Sequence, residues 1–538
     1  MSVENVKEYL KEFNKDNDVI ELHESIATVE LAAKALDVSE GEIAKTLAFD
    51  KNGECILVVA SGDSKIDNAK YKKTFGVKAK MLSAEETLLK TNHPVGGVCP
   101  FANPKNTKIY LDESLKKYQF IYPACGSTST AIRLSLNELE AITKADNWVD
   151  VCKPKKDDQL VFVNRKNTNS IKWDIQDQKF GNDDLIPFWV ADSDFKTSQA
   201  VIDALIARIR QGAFGYSVPG DGYYEAVSGW FERHHGYKVE KEWIVPMCGV
   251  VASLHTIIAT FVEKSQNISF LTPVYNPFYD VVLNNDCNVL KTELLNDNEQ
   301  YSIDFELLEE NIKKSAMFIL CSPHNPVGRV WSQEELEQII DLCKKYDCIL
   351  VSDEIHCDLT SEPFVSVGKY FADYDKIIIC TAPSKTFNIA GLNASNVFIK
   401  NSEYLEKYNA YLHKNAIATS NVIGLVATEA AYRYGDYWLE QQKQLILNNY
   451  HTTIEFFKKH LPMFTIPKLE GTYLVWINMK CLGKTSKELV DYLTGYGISL
   501  NPGAMYGEGY DGYIRLNIAC SSEQLQVALD AMKRAFKE

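Results

Sequence analysis

Three short apolar runs each end on a polar group able to do chemistry. Met317 to Cys321 runs into Ser-Pro-His-Asn325-Pro326-Val-Gly328. Ile349 to Val351 runs into Ser-Asp353-Glu354-Ile-His356, and Ile377 to Cys380 into Thr381-Ala-Pro-Ser384-Lys385-Thr-Phe. An amide, a carboxylate and an amine together form the set that pyridoxal phosphate (PLP) requires. A lysine amine holds the aldehyde covalently. A carboxylate keeps the pyridine nitrogen protonated, so that the ring draws electrons from a substrate carbanion, and a donor to the ring hydroxyl tunes the linkage. The phosphate wants backbone N–H groups at a helix start together with hydroxyls. Gly249, Val250 and Val251, opening an apolar helical stretch after Cys248, could supply the N–H groups, and Thr381 and Ser384 the hydroxyls.

The elements that must carry these groups follow from the same runs. Short apolar segments bounded by polar, Gly or Pro signals fit strands buried on both faces of a parallel sheet. Between the first two runs lies a helix signature. Ser332 and Glu335 make a capping-box pair, and Leu336, Ile339, Ile340 and Cys343 recur at helical spacing. Strand, helix and strand make a βαβ unit with a right-handed crossover. Ligands of open α/β sheets bind beyond the carboxyl ends of the strands, where the amide, carboxylate and amine are expected to converge.

Composition bounds the rest. The chain has 538 residues, 46% hydrophobic and 24% charged, with a net charge of -15. That is ordinary soluble globular protein and excludes wholesale disorder, collagen-like repeats and a membrane channel. No segment approaches the ~18 continuous apolar residues of a spanning helix. The charged N-terminus has no apolar stretch of a signal peptide, which predicts a cytoplasmic protein without a membrane partner. The 13 cysteines are scattered with no C-x-x-C pair, so no metal site is expected and the thiols read as buried and reduced. Such an acidic chain binds RNA only through a local patch. Lys65, Lys70, Lys72, Lys73, Lys78 and Lys80 are the candidate footprint for phosphates. The charged, proline-containing stretch from Cys152 to Asp158 reads as a linker, giving a domain over 1–152, a linker over 153–159 and a second part over 160–538.

In order and spacing, Asn325-Pro326-x-Gly328, Asp353-Glu354 and Ser384-Lys385 resemble the fold type I PLP enzymes. The finer resemblance is to the MalY/PatB-type cystathionine β-lyases. It rests on Phe188-Trp-Val-Ala-Asp-Ser-Asp-Phe195 (with Ser193 where Met is usual), Phe214-Gly215-Tyr216, Pro273-Val-Tyr275, the run Ser384 to Leu392, Glu470-Gly-Thr-Tyr473 and Ile514-Arg515-Leu-Asn-Ile518. The resemblance implies an α/β fold type I architecture. A large subdomain with a mostly parallel sheet covers about 200–440, and a small α+β subdomain combines 160–199 with 441–538. It implies Lys385 as the Schiff-base lysine and acid/base at Cα, Asp353 at the pyridine nitrogen and Asn325 at the ring hydroxyl. It also implies Tyr275 stacked on the ring, Arg515 on the substrate α-carboxylate, and Tyr216 reaching the phosphate of the other subunit of a homodimer. His356 stands where many aminotransferases place a Tyr, as a cofactor contact or a packed neighbour. The run after Lys385 lacks the Arg that common aminotransferases put on the phosphate. Both features favour a lyase that expels a thiol from a small sulfur-containing amino acid, leaving pyruvate and ammonia. An aminotransferase with a non-catalytic tRNA- or aminoacyl-binding N-terminal module is the alternative.

Residues 1–152 resemble the YbaK-type aminoacyl-tRNA deacylases, an α+β editing fold. The resemblance rests on Glu42-Ile-Ala-Lys45-Thr-Leu-Ala-Phe49, Gly96-Gly97-Val-Cys99-Pro100-Phe101 and Tyr122-Pro-Ala-Cys-Gly126-Ser127. It implies a hydrolase of Cys-tRNA(Pro)-type esters, with aminoacyl-tRNA as partner and Lys45 as the essential lysine. Gly96, Gly97 and Pro100 belong to the loop whose N–H groups line the aminoacyl pocket. Cys99 and Cys125 stand where family members often carry Ser and Ala.

Overall fold

The computed structural model describes residues 2–22, 26–154, 160–417 and 421–537. It divides into two compact units, 1–159 and 160–538. Of the expected linker over 153–159, residues 153 and 154 pair with Lys65 and Ser64 in a short antiparallel ladder. Residues 155–159 lie outside the described residues.

The first unit is built on a six-stranded mixed sheet. Its strands are β1 (Ile43–Lys51), β2 (Glu54–Ser61), β3 (Lys108–Asp112), β4 (Phe120–Pro123), β5 (Leu134–Ser135) and β6 (Asn147–Val149), in the spatial order β5-β4-β1-β2-β3-β6. Asn52 and Gly53 close the β1–β2 hairpin, both with positive φ, as a two-residue loop matched to the strand twist requires. From Cys55 on, β2 is buried along its whole length. Side chains of opposite faces therefore enter two cores, one around Leu57 and Val59 and one around Ile56 and Val58.

The second unit holds a seven-stranded sheet. In chain order its strands are β7 (Ile244–Met247), β8 (Asn267–Thr272), β9 (Asn288–Glu293), β10 (Met317–Cys321), β11 (Ile349–Asp353), β12 (Ile377–Thr381) and β13 (Ser395–Ile399). In space they run β7-β13-β12-β11-β10-β8-β9, all parallel except β13. The strands β10, β11 and β12 are the three runs read from sequence, each buried throughout. Their register is in step, with Cys321 opposite Asp353 and Asp353 opposite Cys380. The carboxyl ends thus finish at one level and aim their following loops at one place. The helix Gln333–Lys345 links β10 to β11, with the Ser332–Glu335 capping box formed and Leu336, Ile339, Ile340 and Cys343 buried.

A three-stranded antiparallel sheet completes this unit: β14 (Leu474–Asn478), β15 (Asn501–Pro502) and β16 (Tyr513–Asn517), with β16 in the middle carrying Arg515. The chain crosses the expected subdomain boundary at 440–441 inside one 25-residue helix, Asp436–His460. The segment 188–195 is anchored by buried charge. Lys172 Nζ donates to Asp194 Oδ2 at 2.8 Å and to the Asp192 carbonyl at 3.2 Å. Trp173 Nε1 donates to Asp194 Oδ1 at 2.8 Å, and Arg165 bonds Asp192 at 2.8 Å. Lys172 and Asp194 are both fully buried. Removing one partner of such a pair leaves an uncompensated charge in a low dielectric. Lys172→Met is therefore expected to destabilise this unit by about 3 kcal/mol, read as a lower urea midpoint at unchanged slope. An unshifted midpoint would show that the pair contributes nothing.

Candidate active sites

Beyond the ends of β10, β11 and β12 lies a cavity of about 200 Å³. Nine of the expected residues line it: Gly249, Val250, Val251, Tyr275, Asn325, Asp353, His356, Ser384 and Lys385. Asp353 is the last residue of β11 and is buried. Burial pushes its carboxyl up to about 7, against the Ile355 N–H that donates to Oδ1 at 3.1 Å and the nearby charge of Lys385. Lys385 sits in the short helix Pro383–Thr386 that starts two residues after β12. Its Nζ donates to the Ala191 carbonyl at 2.8 Å, and burial lowers its pKa from the ordinary lysine value. Asn325 Oδ1 accepts from Arg515 Nη1 at 3.2 Å, while Nη2 donates to the Trp189 carbonyl at 2.9 Å. His356 is a neutral ring, its pKa pushed down to about 3 by burial and by the charges of Lys385 and Arg515. It packs edge-on to Tyr473 at 5.8 Å.

These residues fit PLP on three observations. The helix Val250–Phe261 begins at Gly249, which offers no side-chain cap, so its first N–H groups face the cavity ready for an anion. The buried Asp353 carboxylate points into a cavity with no cation in hydrogen-bonding contact, a place that a protonated pyridine nitrogen would fill. His356 Nδ1 and Arg515 Nε are buried without a partner. Buried polar atoms in this state call for a partner, which a bound ligand would supply.

Three expected residues do not line this cavity: Arg515, which bonds the lining residue Asn325, and Thr381 and Tyr216. Thr381 ends β12 on the face of Ile377 and Ile379, because strand side chains alternate, and its hydroxyl lies beside Cys357 and Tyr432. Tyr216 stands in the exposed run 211–218, fully open to solvent, with Phe214 and Val218 exposed beside it. Sequence reasoning left other residues without a role. The carbonyls of the segment 189–192 are gripped one after another. Asn501 and Arg515 donate to Trp189, Asn517 to Val190, Lys385 and Tyr473 to Ala191, and Asn517 and Lys172 to Asp192. Only the quoted runs around Tyr473 and Arg515 signalled this, and neither revealed its target. Asn393 also lines the cavity, in the left-handed conformation that Asn tolerates.

The first unit has its own cavity of about 590 Å³, lined by Lys45 and Gly96 and by small apolar residues such as Ala44, Ala48, Ala124 and Ala131. Lys45 projects from β1 and its Nζ donates to the carbonyls of Ser64 and Gly62, the latter at 3.2 Å. Gly96 takes a φ of 86°, and a Cβ on Gly97 would meet the Ser127 backbone at 2.8 Å, so this loop must be glycine to pass. Gly97 and Pro100 are buried and do not line the cavity. Cys99 and Cys125 point into the core, where burial raises both thiols, Cys99 to about 12. Neither shapes the cavity. The six lysines of the candidate footprint are all exposed; Lys70 pairs with Asp150 at 2.7 Å and Lys80 with Asp50 at 3.7 Å.

Comparison with known proteins finds relatives of both units. Residues 183–532 match the family model described as aminotransferase class I and II, and residues 23–142 match that of the aminoacyl-tRNA editing domain. The cystathionine β-lyase PatB of Bacillus subtilis is 39% identical over 380 residues, covering 69% of this chain and 98% of PatB. The uncharacterized protein YwhH of the same organism is 48% identical over 154 residues, which is 28% of this chain and 98% of YwhH. The PLP-bound C–S lyase of Staphylococcus hominis superposes with a TM-score of 0.67 at 31% identity, covering 72% of this chain and 99% of that one. The cavity at the ends of β10, β11 and β12 is thus that of a PLP enzyme, and the chain belongs to the aminotransferase class I and II family, with an aminoacyl-tRNA editing domain at its N-terminal side.

Proposed function

We propose that the second unit is a PLP-dependent carbon–sulfur β-lyase of the cystathionine β-lyase type, and that the first is an aminoacyl-tRNA deacylase. The observation that carries the lyase reading is the single cavity onto which Asn325, Asp353 and Lys385 converge from three adjacent strand ends. PLP, when bound, withdraws electrons from the substrate's Cα. Asp353 would hold the proton on the pyridine nitrogen and Asn325 would donate to the ring hydroxyl. Tyr275 would pack against the ring. The first-turn N–H groups at Gly249, Val250 and Val251, with the Ser384 hydroxyl, would hold the phosphate. Arg515, already aimed at the cavity through Asn325, suits a substrate carboxylate by its planar fork. Lys385, whose pKa is lowered by burial, would take the Cα proton while a thiol leaves Cβ. His356, neutral and without a charge to offer, would close the wall beside the substrate. A small sulfur-containing amino acid suits the size of the cavity.

In the first unit, Lys45 and the Gly96 N–H would hold the ester end of an aminoacyl-tRNA of the Cys-tRNA(Pro) type, with the small apolar wall receiving the side chain. The absence of disulfides among the 13 free cysteines suits a reducing, cytoplasmic setting, and no helix among the described residues is long and apolar enough to cross a membrane. The exposed Phe214, Tyr216 and Val218 suit a homodimer in which Tyr216 completes the phosphate site of the other subunit.

Incubation with L-cystathionine should release pyruvate and free thiol. An amino acid with 2-oxoglutarate should give no glutamate; glutamate formation without pyruvate would make the enzyme an aminotransferase instead. Lys385→Ala should abolish pyruvate release at an unchanged unfolding midpoint, and Asp353→Ala should lower turnover 10²-fold or more, about 3 kcal/mol. Turnover retained in either variant removes that residue from its role. Lys45→Ala should abolish deacylation of Cys-tRNA(Pro) without touching pyruvate release; equal rates for both proteins would leave the first unit a binding module. Co-expressed Tyr216→Phe and Lys385→Ala chains should recover activity in the isolated mixed dimer, since one site then carries both lesions and the other neither. An inactive mixed dimer would return Tyr216 to its own chain.

A further inference from the structure

Building on the PLP-enzyme reading, we propose that Asp358 and Thr386 are positioning residues that fix the direction from which Lys385 enters the cavity. Asp353 ends β11, and the loop that follows carries His356, then Asp358. Asp358 is buried, and three donors converge on its carboxylate. Trp230 Nε1 donates to Oδ1 at 3.0 Å, His235 Nε2 lies 2.8 Å from the same oxygen, and Thr386 Oγ1 donates to Oδ2 at 2.7 Å. Burial opposes the ionised form, but the bonds from His235, Thr386 and Trp230 outweigh it and hold the carboxyl below its ordinary range. The result is a fixed anion with both oxygens occupied. His235, Cys357 and Asp358 come within 4.8 Å of one another, as metal ligands would. The donors already on Asp358 make the group a hydrogen-bonded platform rather than a cation site.

Thr386 directly follows Lys385. Phe387 comes next, and its ring meets the same Trp230 edge-on at 5.5 Å. Both residues after the lysine are thus seated on one buried platform, whose Asp358 belongs to the loop that follows Asp353. The short helix Pro383–Thr386 is a single turn and has little stiffness of its own. Its aim is set by what holds its end. The Asp358–Thr386 bond therefore couples the position of the amine to that of the carboxylate across the cavity. Displacement of a reacting group by about 1 Å is worth roughly 10²-fold in rate.

The test uses the full chain with PLP. Thr386→Val keeps the side-chain shape and deletes only the hydroxyl; Thr386→Ser keeps the hydroxyl. Thr386→Val is expected to lower kcat for pyruvate release about 10-fold or more while KM changes by less than about twofold. PLP capture by the cofactor-free chain, followed by absorbance, should slow by a similar factor. Thr386→Ser should stay near wild type in both readouts, and Asp358→Asn should behave as Thr386→Val. Urea midpoints of all the proteins separate loss of stability from loss of aim. A Thr386→Val enzyme that is less stable but unchanged in kcat and in PLP capture overturns the proposal and leaves the bond purely structural. A wild-type chain that neither binds PLP nor releases pyruvate overturns the lyase reading and this inference with it, whereas an active wild type with an unaltered Thr386→Val variant overturns this inference alone.

Discussion

The carbonyl of Ala191 is the contact on which the catalytic unit turns. It accepts Lys385 Nζ at 2.8 Å and the Tyr473 hydroxyl at 2.9 Å, so three distant parts of the chain meet at one oxygen. That oxygen cannot move alone. Its neighbours at Trp189, Val190 and Asp192 are held by Asn501, Arg515, Asn517 and Lys172, and the segment is anchored further on by the buried Asp194. An extended segment with every carbonyl engaged is rigid without belonging to a sheet. The small three-stranded sheet supplies most of the donors, and so places the lysine that the large sheet presents.

Both units hold their candidate lysine in the same way. Lys385 donates to a backbone carbonyl, and Lys45 donates to the carbonyls of Gly62 and Ser64. A carbonyl orients an amine without the full charge of a carboxylate. For Lys385, burial then favours the uncharged form needed to take a proton. Asp353 works against the opposite constraint. It too is buried, and its carboxyl is raised to about 7, so a cation sitting against it would stabilise its charge. An amine driven toward neutrality and a carboxylate in need of a cation face one cavity, and a protonated heterocycle with an electrophilic carbon answers both.

The local sequence determined a good deal by itself. Short uninterrupted apolar runs fit strands covered on both faces, and β10, β11 and β12 appear where Met317, Ile349 and Ile377 begin them. The Ser332–Glu335 capping box and the Leu336 to Cys343 spacing set the intervening helix, since both depend on contacts within four residues. Asn325, Asp353 and Lys385 were legible because each lies at or just beyond a strand end, and parallel strands in one register must finish together. What the tertiary structure decided depends on longer range. Thr381 was read as a phosphate contact from its neighbourhood, yet one step of strand alternation turns it toward Cys357 and Tyr432. Cys99 and Cys125 sit in sequence beside the editing loop but face the core, because the fold of that loop, not its composition, selects which side lines the cavity. The gripping of residues 189–192 by Asn501, Arg515 and Asn517 spans more than 300 positions of chain. No periodicity or motif encodes such a pairing; it exists only once the two sheets have packed and the donors have lost water as their alternative partner.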